Sequence, residues 1–298
     1  MVNLNKSLTK RLSKEQLDVL VRSIEEKNEI PIRVVYTQEY WDKIAMDNDY
    51  KLANRELSAL KSIIKKLAIQ FNGKKINIIH LGVGNGVEIP IIIDAFSEKN
   101  IVNYSIVDVN PATLAITEKR IAEKFPNQKV RKFLQDIETY GINNICEETK
   151  EDGAEINIIF LIANGVLFSN DKLVTEIYRS LNEGDYFFLT LELYQNGKDK
   201  EIIKSYLIPS VLDLLANGIK LIGYDPNYKE FTAEINKDEN LLKVYYSPTA
   251  DRSKKFLVLH SYKPTLEKLN KRMESLNFKN IFIEEYQEIH TCAALYNK

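Results

Sequence analysis

The 298 residues, 44% of them hydrophobic, suffice to bury a full core, about 75% of the unfolded chain's surface at this size. A formal net charge of -1 with no polybasic block excludes the electrostatic footprint of a nucleic-acid binder and favours a small-molecule partner. Cys146 and Cys292 have neither CxxC spacing nor a nearby His/Cys cluster, so neither a disulfide framework nor a metal site is expected and a reducing cytoplasm is the natural location.

The Lys-rich start, Met1 to Asp18, lacks the apolar stretch of a signal peptide. The longest apolar runs, Ile89 to Ile93 and Ile156 to Ala163, fall far short of the ~20 residues of a membrane span. Residues 1–73 read as a helical region. Leu12 to Glu26 and Asn54 to Phe71 carry apolar residues at helical spacing, the second with Leu57, Leu60, Ile63, Ile64 and Leu67 on one face. Asn72-Gly73 supplies the stop.

From 74 to 194 strand and helix alternate. Strands are predicted at Ile76–Leu81, Tyr104–Val109, Val130–Leu134, Ile156–Ile162 and Asp185–Leu193. Helices are predicted at Val87–Phe96, Pro111–Phe125 and Asp171–Leu181. Short apolar strands spaced by helices imply parallel pairing through right-handed crossovers, so the class is α/β. Between 195 and 263 the rhythm breaks at Pro209 and a Tyr/Pro/Asn stretch, and strands return at Leu241–Tyr246 and Phe256–His260. This segment reads as an insertion. A helix at Thr265–Leu276 and strands at Asn280–Tyr286 and Thr291–Tyr296 return the chain, from 264, to the core with an antiparallel end.

The sharpest local signal is His80-Leu81-Gly82-Val83-Gly84-Asn85-Gly86, where a strand becomes a helix. Glycines let the backbone turn tightly and approach a ligand, and the carboxyl end of a first strand is where nucleotide-type ligands settle in open α/β sheets. The dinucleotide fingerprint GxGxxG requires glycine at Val87; the third glycine is Gly86 instead, giving the GxGxG of S-adenosylmethionine enzymes. Asp108, 24 positions beyond Gly84, ends the second strand where a carboxylate accepts ribose hydroxyls, with Val109 beside it. Asp136 ends the third strand, suited to the adenine amine, with Ile137 against the ring. The plainer alternatives are a simple strand–helix turn, a helix-capping Asp108 and a core-packed His80. His80 stands where such loops usually carry an acid, and a neutral imidazole there accepts a hydrogen bond from the cofactor's amine.

The chain resembles the histidine-specific Nα-methyltransferases of the ergothioneine type from about Tyr36 to the C-terminus. Trp41-Asp42-Lys43-Ile44 with Tyr50 and Glu56 is similar to that family's aromatic-Asp-x-Ile and Tyr-Tyr-Pro-Thr-Arg-x-Glu segments. Tyr104 to Asn110 (YSIVDVN), Phe160 to Phe168 (FLIANGVLF) and His260-Ser261-Tyr262-Lys263 match further segments in order. The resemblance implies a Rossmann-like, seven-stranded class I methyltransferase sheet. It also implies a second lobe, built from the N-terminal region and the insertion, with the substrate in the cleft between them. It places Tyr50 and Ser261 on substrate-contacting positions. Two positions depart: the family's glutamate meets Leu259, and its carboxylate-binding asparagine meets Leu167, with Asn164 three residues earlier as a substitute.

The expected activity is transfer of a methyl group from S-adenosylmethionine to the amine of a small, amino-acid-like substrate other than histidine. No side chain is expected to act as the catalytic nucleophile. Alternatives are aminopropyl or aminocarboxypropyl transfer on the same cofactor, a non-catalytic binding subunit and, weakest, a NAD-linked oxidoreductase. Asn164 also fits a turn pair with Gly165, and Tyr50 and Ser261 fit ordinary packing roles. Glu192 and Glu234 are the nearest acids to replace the missing glutamate, although each reads more readily as a solvated carboxylate.

Overall fold

The computed structural model of the chain describes residues 4–35, 37–47, 49–150 and 153–298. Residues 1–3, 48, 151 and 152, and Tyr36 where the family likeness begins, lie outside the described residues. The helices α1 (Lys14–Lys27), α2 (Ile32–Val35), α3 (Gln38–Met46) and α4 (Lys51–Gln70) come first. Then follow β1 (Ile76–Leu81), α5 (Ile89–Phe96), β2 (Ile101–Asp108), α6 (Pro111–Lys124), β3 (Val130–Leu134), α7 (Ile137–Tyr140) and α8 (Asn143–Lys150). Next are β4 (Ile156–Leu161), α9 (Gly165–Phe168), α10 (Asp171–Ser180) and β5 (Tyr186–Glu192). The insertion holds α11 (Asp199–Tyr206), α12 (Pro209–Leu221), β6 (Phe231–Asn236), β7 (Leu241–Tyr246) and β8 (Phe256–Tyr262). Last come α13 (Leu266–Ser275), β9 (Lys279–Tyr286) and β10 (Thr291–Asn297).

The chain divides into two compact units, residues 52–194 with 263–298 and residues 1–51 with 195–262. The first is built on a seven-stranded sheet in the order β3-β2-β1-β4-β5-β10-β9. Strands β1 to β5 run parallel, and β10 pairs antiparallel with both β5 and β9. The interior strand β1 is buried along its whole length, as expected of a parallel strand covered on both faces. Pro111 sits in the first turn of α6 behind Asn110, whose Oδ1 accepts the Ala112 N–H at 2.9 Å.

Helix α4 corrects the predicted division at residue 73. Its apolar face (Leu60, Ile63, Ile64, Leu67) joins one core cluster with Phe71, Ile78, Ile158 and Phe160. Burying each such side chain is worth about 1.5–3 kcal/mol, so α4 belongs with the sheet and the division falls between 51 and 52.

In the second unit, β6, β7 and β8 form an antiparallel sheet. Helix α1 opens with a capping box in which Ser13 and Gln16 bond each other's backbone N–H, and ends on left-handed Asn28. The segment after it adds to this sheet: Leu257 N–H donates to Asn28 O and Ile30 N–H to Leu257 O. Helix α12 is buried nearly all round. At Gly218 a Cβ would lie 2.8 Å from Val35 Cγ1, and Asn217 Nδ2 donates to Val35 O. Both cysteines are buried free thiols, and no single helix among the described residues is long and apolar enough to cross a membrane.

Candidate functional site

Strand order reverses between β1 and β4, the switch point beside which ligands bind in open α/β sheets. In register, Leu81 lies beside Val107 and Leu161, and Asp108 beside Leu134. The loops after β3, β2, β1 and β4 therefore leave one edge of the sheet in neighbouring positions. At or just past these strand ends stand Asp136, Asp108, Gly82 and Asn164 respectively. Three of the predicted cofactor segments, 82–86, 108–109 and 136–137, thus share one edge.

Gly82, Gly84 and Gly86 all have left-handed φ, at 62°, 52° and 63°. At Gly82 and Gly86 space is closed as well: a Cβ would sit 2.6 Å from Asn164 Nδ2 and 2.8 Å from Thr117 Cγ2. The loop is tied down from α6, where Thr117 Oγ1 donates to Gly84 O at 3.3 Å and Arg120 Nη1 donates to Asn85 O.

Asp108 holds the same loop from β2. Its Oδ2 accepts the Gly84 N–H at 3.3 Å and its Oδ1 the Asn110 N–H at 2.9 Å. The helix cap is Asn110, so Asp108 is not the capping residue of α6. Burial pushes its carboxyl up to about 6, against backbone N–H groups that favour the charged form. Val109 beside it is half-buried. Asp136 caps α7, accepting the Glu138 N–H at 3.1 Å and the Thr139 hydroxyl at 2.7 Å, and Ile137 is buried behind it. Left-handed glycines and a buried carboxylate aimed at a loop N–H form a cradle that fits an adenosyl group.

His80 is placed otherwise than predicted for a cofactor contact. It is wholly buried, with Nδ1 3.0 Å from the Tyr104 hydroxyl and Nε2 3.4 Å from Glu88 Oε1. Both faces of β1 are covered, so its side chain is enclosed whichever way it points, and the core alternative is the one observed. Burial lowers its imidazole to about 3 and raises the Glu88 carboxyl to about 7, so between these values the pair is neutral His80 beside protonated Glu88.

The folded value of Glu88 lies above that of an unfolded glutamate, about 4.3. The native state therefore keeps a proton that the unfolded chain releases between about pH 4.5 and 7, and this group's contribution to stability falls as pH rises through that window. Glu88→Gln is expected to gain roughly 3 kcal/mol on the native protein across it. Denaturant melts at pH 4.5 and 7 measure this, and a constant difference between the two proteins rejects it.

Asn164 is half-buried just past β4. Its Oδ1 accepts the Leu167 N–H at 3.0 Å and caps α9, as a turn residue does. Leu167, also half-buried, brings Cδ1 to 3.1 Å from where a Gly82 Cβ would stand. Glu192, predicted more readily as solvated, is instead buried. Lys263 Nζ lies 2.7 Å from its Oε2 and Arg55 Nη1 3.4 Å from its Oε1. The reason is position: β5 is an interior strand flanked by β4 and β10. Glu56 is buried beside them, and burial raises it to about 7. Thr117, Arg120 and Thr190 carried no local signal, because each acts on residues at least 27 positions away.

In the second unit Tyr50 is buried with its ring edge-on to Tyr206, centroids 6.2 Å apart. Ser261 and Leu259 are buried on β8, opposite Leu242 and Val244 of β7. Glu234 is exposed on β6.

A family model described as histidine-specific methyltransferase, SAM-dependent, matches residues 12–251. No match is found among curated proteins. Among solved structures, an S-adenosylmethionine-dependent methyltransferase from Clostridium acetobutylicum superposes with a TM-score of 0.50 at 16% identity, covering 87% of this chain and 96% of that one. The CcbJ methyltransferase from Streptomyces caelestis gives a TM-score of 0.45 at 8% identity, covering 82% and 89%. The seven-stranded sheet is that of the Rossmann-like class I methyltransferase fold.

Proposed function

The chain belongs to the family of S-adenosylmethionine-dependent histidine-specific methyltransferases, and from that premise we propose that it methylates the amine of a small amino-acid-like acceptor other than histidine. The observation that carries this reading is Leu259, an apolar and buried side chain on β8 at the position of the family's glutamate. An imidazole N–H facing it would stay unpaired, at a cost of about 1–3 kcal/mol. Sites built for such a bond discriminate strongly when it is missing. Leu167, at the family's asparagine position, removes a second polar partner. Asn164, three residues before that position, is proposed to orient the acceptor through its Nδ2. Tyr50 and Ser261 are proposed acceptor contacts from the family likeness alone.

When bound, S-adenosylmethionine supplies an electrophilic methyl group on a sulfonium. Asp108 accepts the ribose hydroxyls, Asp136 and Ile137 with Val109 hold the adenine, and Gly82 to Gly86 admit the cofactor's backbone-facing side. Positioning acceptor and methyl in line contributes about 7–11 kcal/mol of barrier reduction, so no catalytic nucleophile is assigned to the protein. The acceptor amine loses its proton to water or a weak base, since α-amino groups titrate near about 7.7–8.0.

Incubation with S-adenosylmethionine and a panel of amino acids, histidine included, followed by mass spectrometry, tests the reading. The expected result is a methylated amine with release of S-adenosylhomocysteine. Histidine as the best acceptor would overturn the specificity, and methylthioadenosine as the product would overturn methyl transfer.

A further inference from the structure

We propose that Glu56 is a positioning residue for the cofactor loop, acting through Thr190 and the left-handed residue Ala163 on Asn164 and thereby on Gly82. The inference rests on the assignment of Gly82 to Gly86 as the cofactor loop.

The chain of contacts lies within one compact unit and runs from α4 through β5 to the β4–α9 turn. Thr190 is the residue after the last β4-paired position of β5. Its hydroxyl donates to Glu56 Oε2 at 2.6 Å and accepts the Ala163 N–H at 3.1 Å. The run of bonds is thus amide to hydroxyl to carboxyl. The Glu56 carboxylate also draws directly on the Ala163 backbone. Glu56 and Thr190 are each 1% exposed. Lys263 and Glu192, both buried, complete the charged surroundings of Glu56.

Ala163 has φ 53°. A residue with a Cβ adopts that conformation only where its surroundings impose it, and such residues gather at functional sites. The left-handed step turns the chain from β4 into α9 and delivers Asn164 to its place. There Asn164 Oδ1 is committed to the Leu167 N–H, so Nδ2 faces the glycine loop, 2.6 Å from the point a Gly82 Cβ would occupy. Asn164 is thus the wall against which Gly82 lies. Glu56 holds that wall without touching it. Released from the hydroxyl, Ala163 relaxes to an ordinary φ and takes Asn164 away from Gly82.

Glycine adopts left-handed φ without cost, and this separates positioning from general structural support. Thr190→Val keeps the shape of the side chain and removes the hydroxyl. Calorimetric titration with S-adenosylmethionine and with S-adenosylhomocysteine is expected to show about tenfold weaker binding for Thr190→Val, and a loss within about twofold in the Ala163→Gly background, the signature of coupled sites. Glu56→Gln, which keeps an acceptor oxygen, is expected to retain most of the affinity that Glu56→Leu loses. An equal loss in both backgrounds, or no loss in either, overturns the proposal. Glu56→Leu in the same two backgrounds carries the test if Thr190→Val does not fold. Asp108→Ala keeps the two failures apart: unchanged affinity there rejects the loop assignment itself, whereas lost affinity with background-independent Thr190→Val rejects only the positioning role.

Discussion

Replacing Asp108 with alanine is expected to weaken S-adenosylmethionine binding about 100-fold or more in calorimetry, since two charge-assisted hydrogen bonds of about 1.5–3 kcal/mol each would be lost. The same carboxylate ties β2 to the Gly84 N–H, so the variant also loosens the loop that frames the cofactor. Asp108→Asn removes the charge and keeps one oxygen, enough for one of the two backbone N–H groups that Asp108 accepts.

The pH dependence has a definite sign. Burial raises Asp108 to about 6, and ribose hydroxyls are best accepted by the ionised form. Below pH 6 the proton must leave before binding, and affinity is expected to fall about tenfold per pH unit. Above it, affinity should level off. The folded value also exceeds that of an unfolded aspartate, about 3.9, so this group's contribution to stability falls as pH rises from about 4 to 6. Unchanged affinity in Asp108→Ala refutes the ribose assignment.

Gly82→Ala is the second substitution with a large expected effect. Its φ of 62° costs an L-residue roughly 1–2 kcal/mol. Its Cβ would meet Asn164 Nδ2 at 2.6 Å and Leu167 Cδ1 at 3.1 Å. Asn164 cannot swing aside freely, because its Oδ1 caps α9. Overpacking of this kind costs about 1–3 kcal/mol more. A lowering of Tm by roughly 5–10 °C and loss of measurable cofactor binding are expected. Gly73→Ala is the control: its φ is 79° but nothing lies within 4 Å of the added carbon. It should show the conformational cost alone, with native affinity. Equal behaviour of the two variants would show that the closed space at Gly82 does not matter.

Local pattern made much of this protein legible from its residues. The limits of β1, β3 and β7 are the predicted ones, because short strands bounded by polar or glycine residues are set by neighbours in sequence. The GxGxG spacing and Asp108 were legible for the same reason, since both mark the end of a strand and the start of a helix. The sheet's antiparallel end followed from two closing strands with a polar link.

Helix α12 was not legible. It is buried nearly all round, so it has no polar stripe to give it a period. Pro209, which appeared to break the rhythm, opens this helix, and Asn217-Gly218, a turn pair by type, packs against Val35 in its interior. The burial of Glu192 and Glu56 was equally hidden, whereas a core-packed His80 was one of the two readings open from the sequence. Whether a polar side chain is solvated or enclosed depends on partners brought from afar. Glu56 meets Thr190 across 134 positions and Glu192 meets Lys263 across the whole insertion. Sequence alone determined the succession of the seven strands of the large sheet and the place of the glycine loop, since these depend on local apolar periodicity and backbone freedom. Tertiary structure alone decided which polar groups hold that loop, because their energies arise from burial and from contacts the chain makes only once folded.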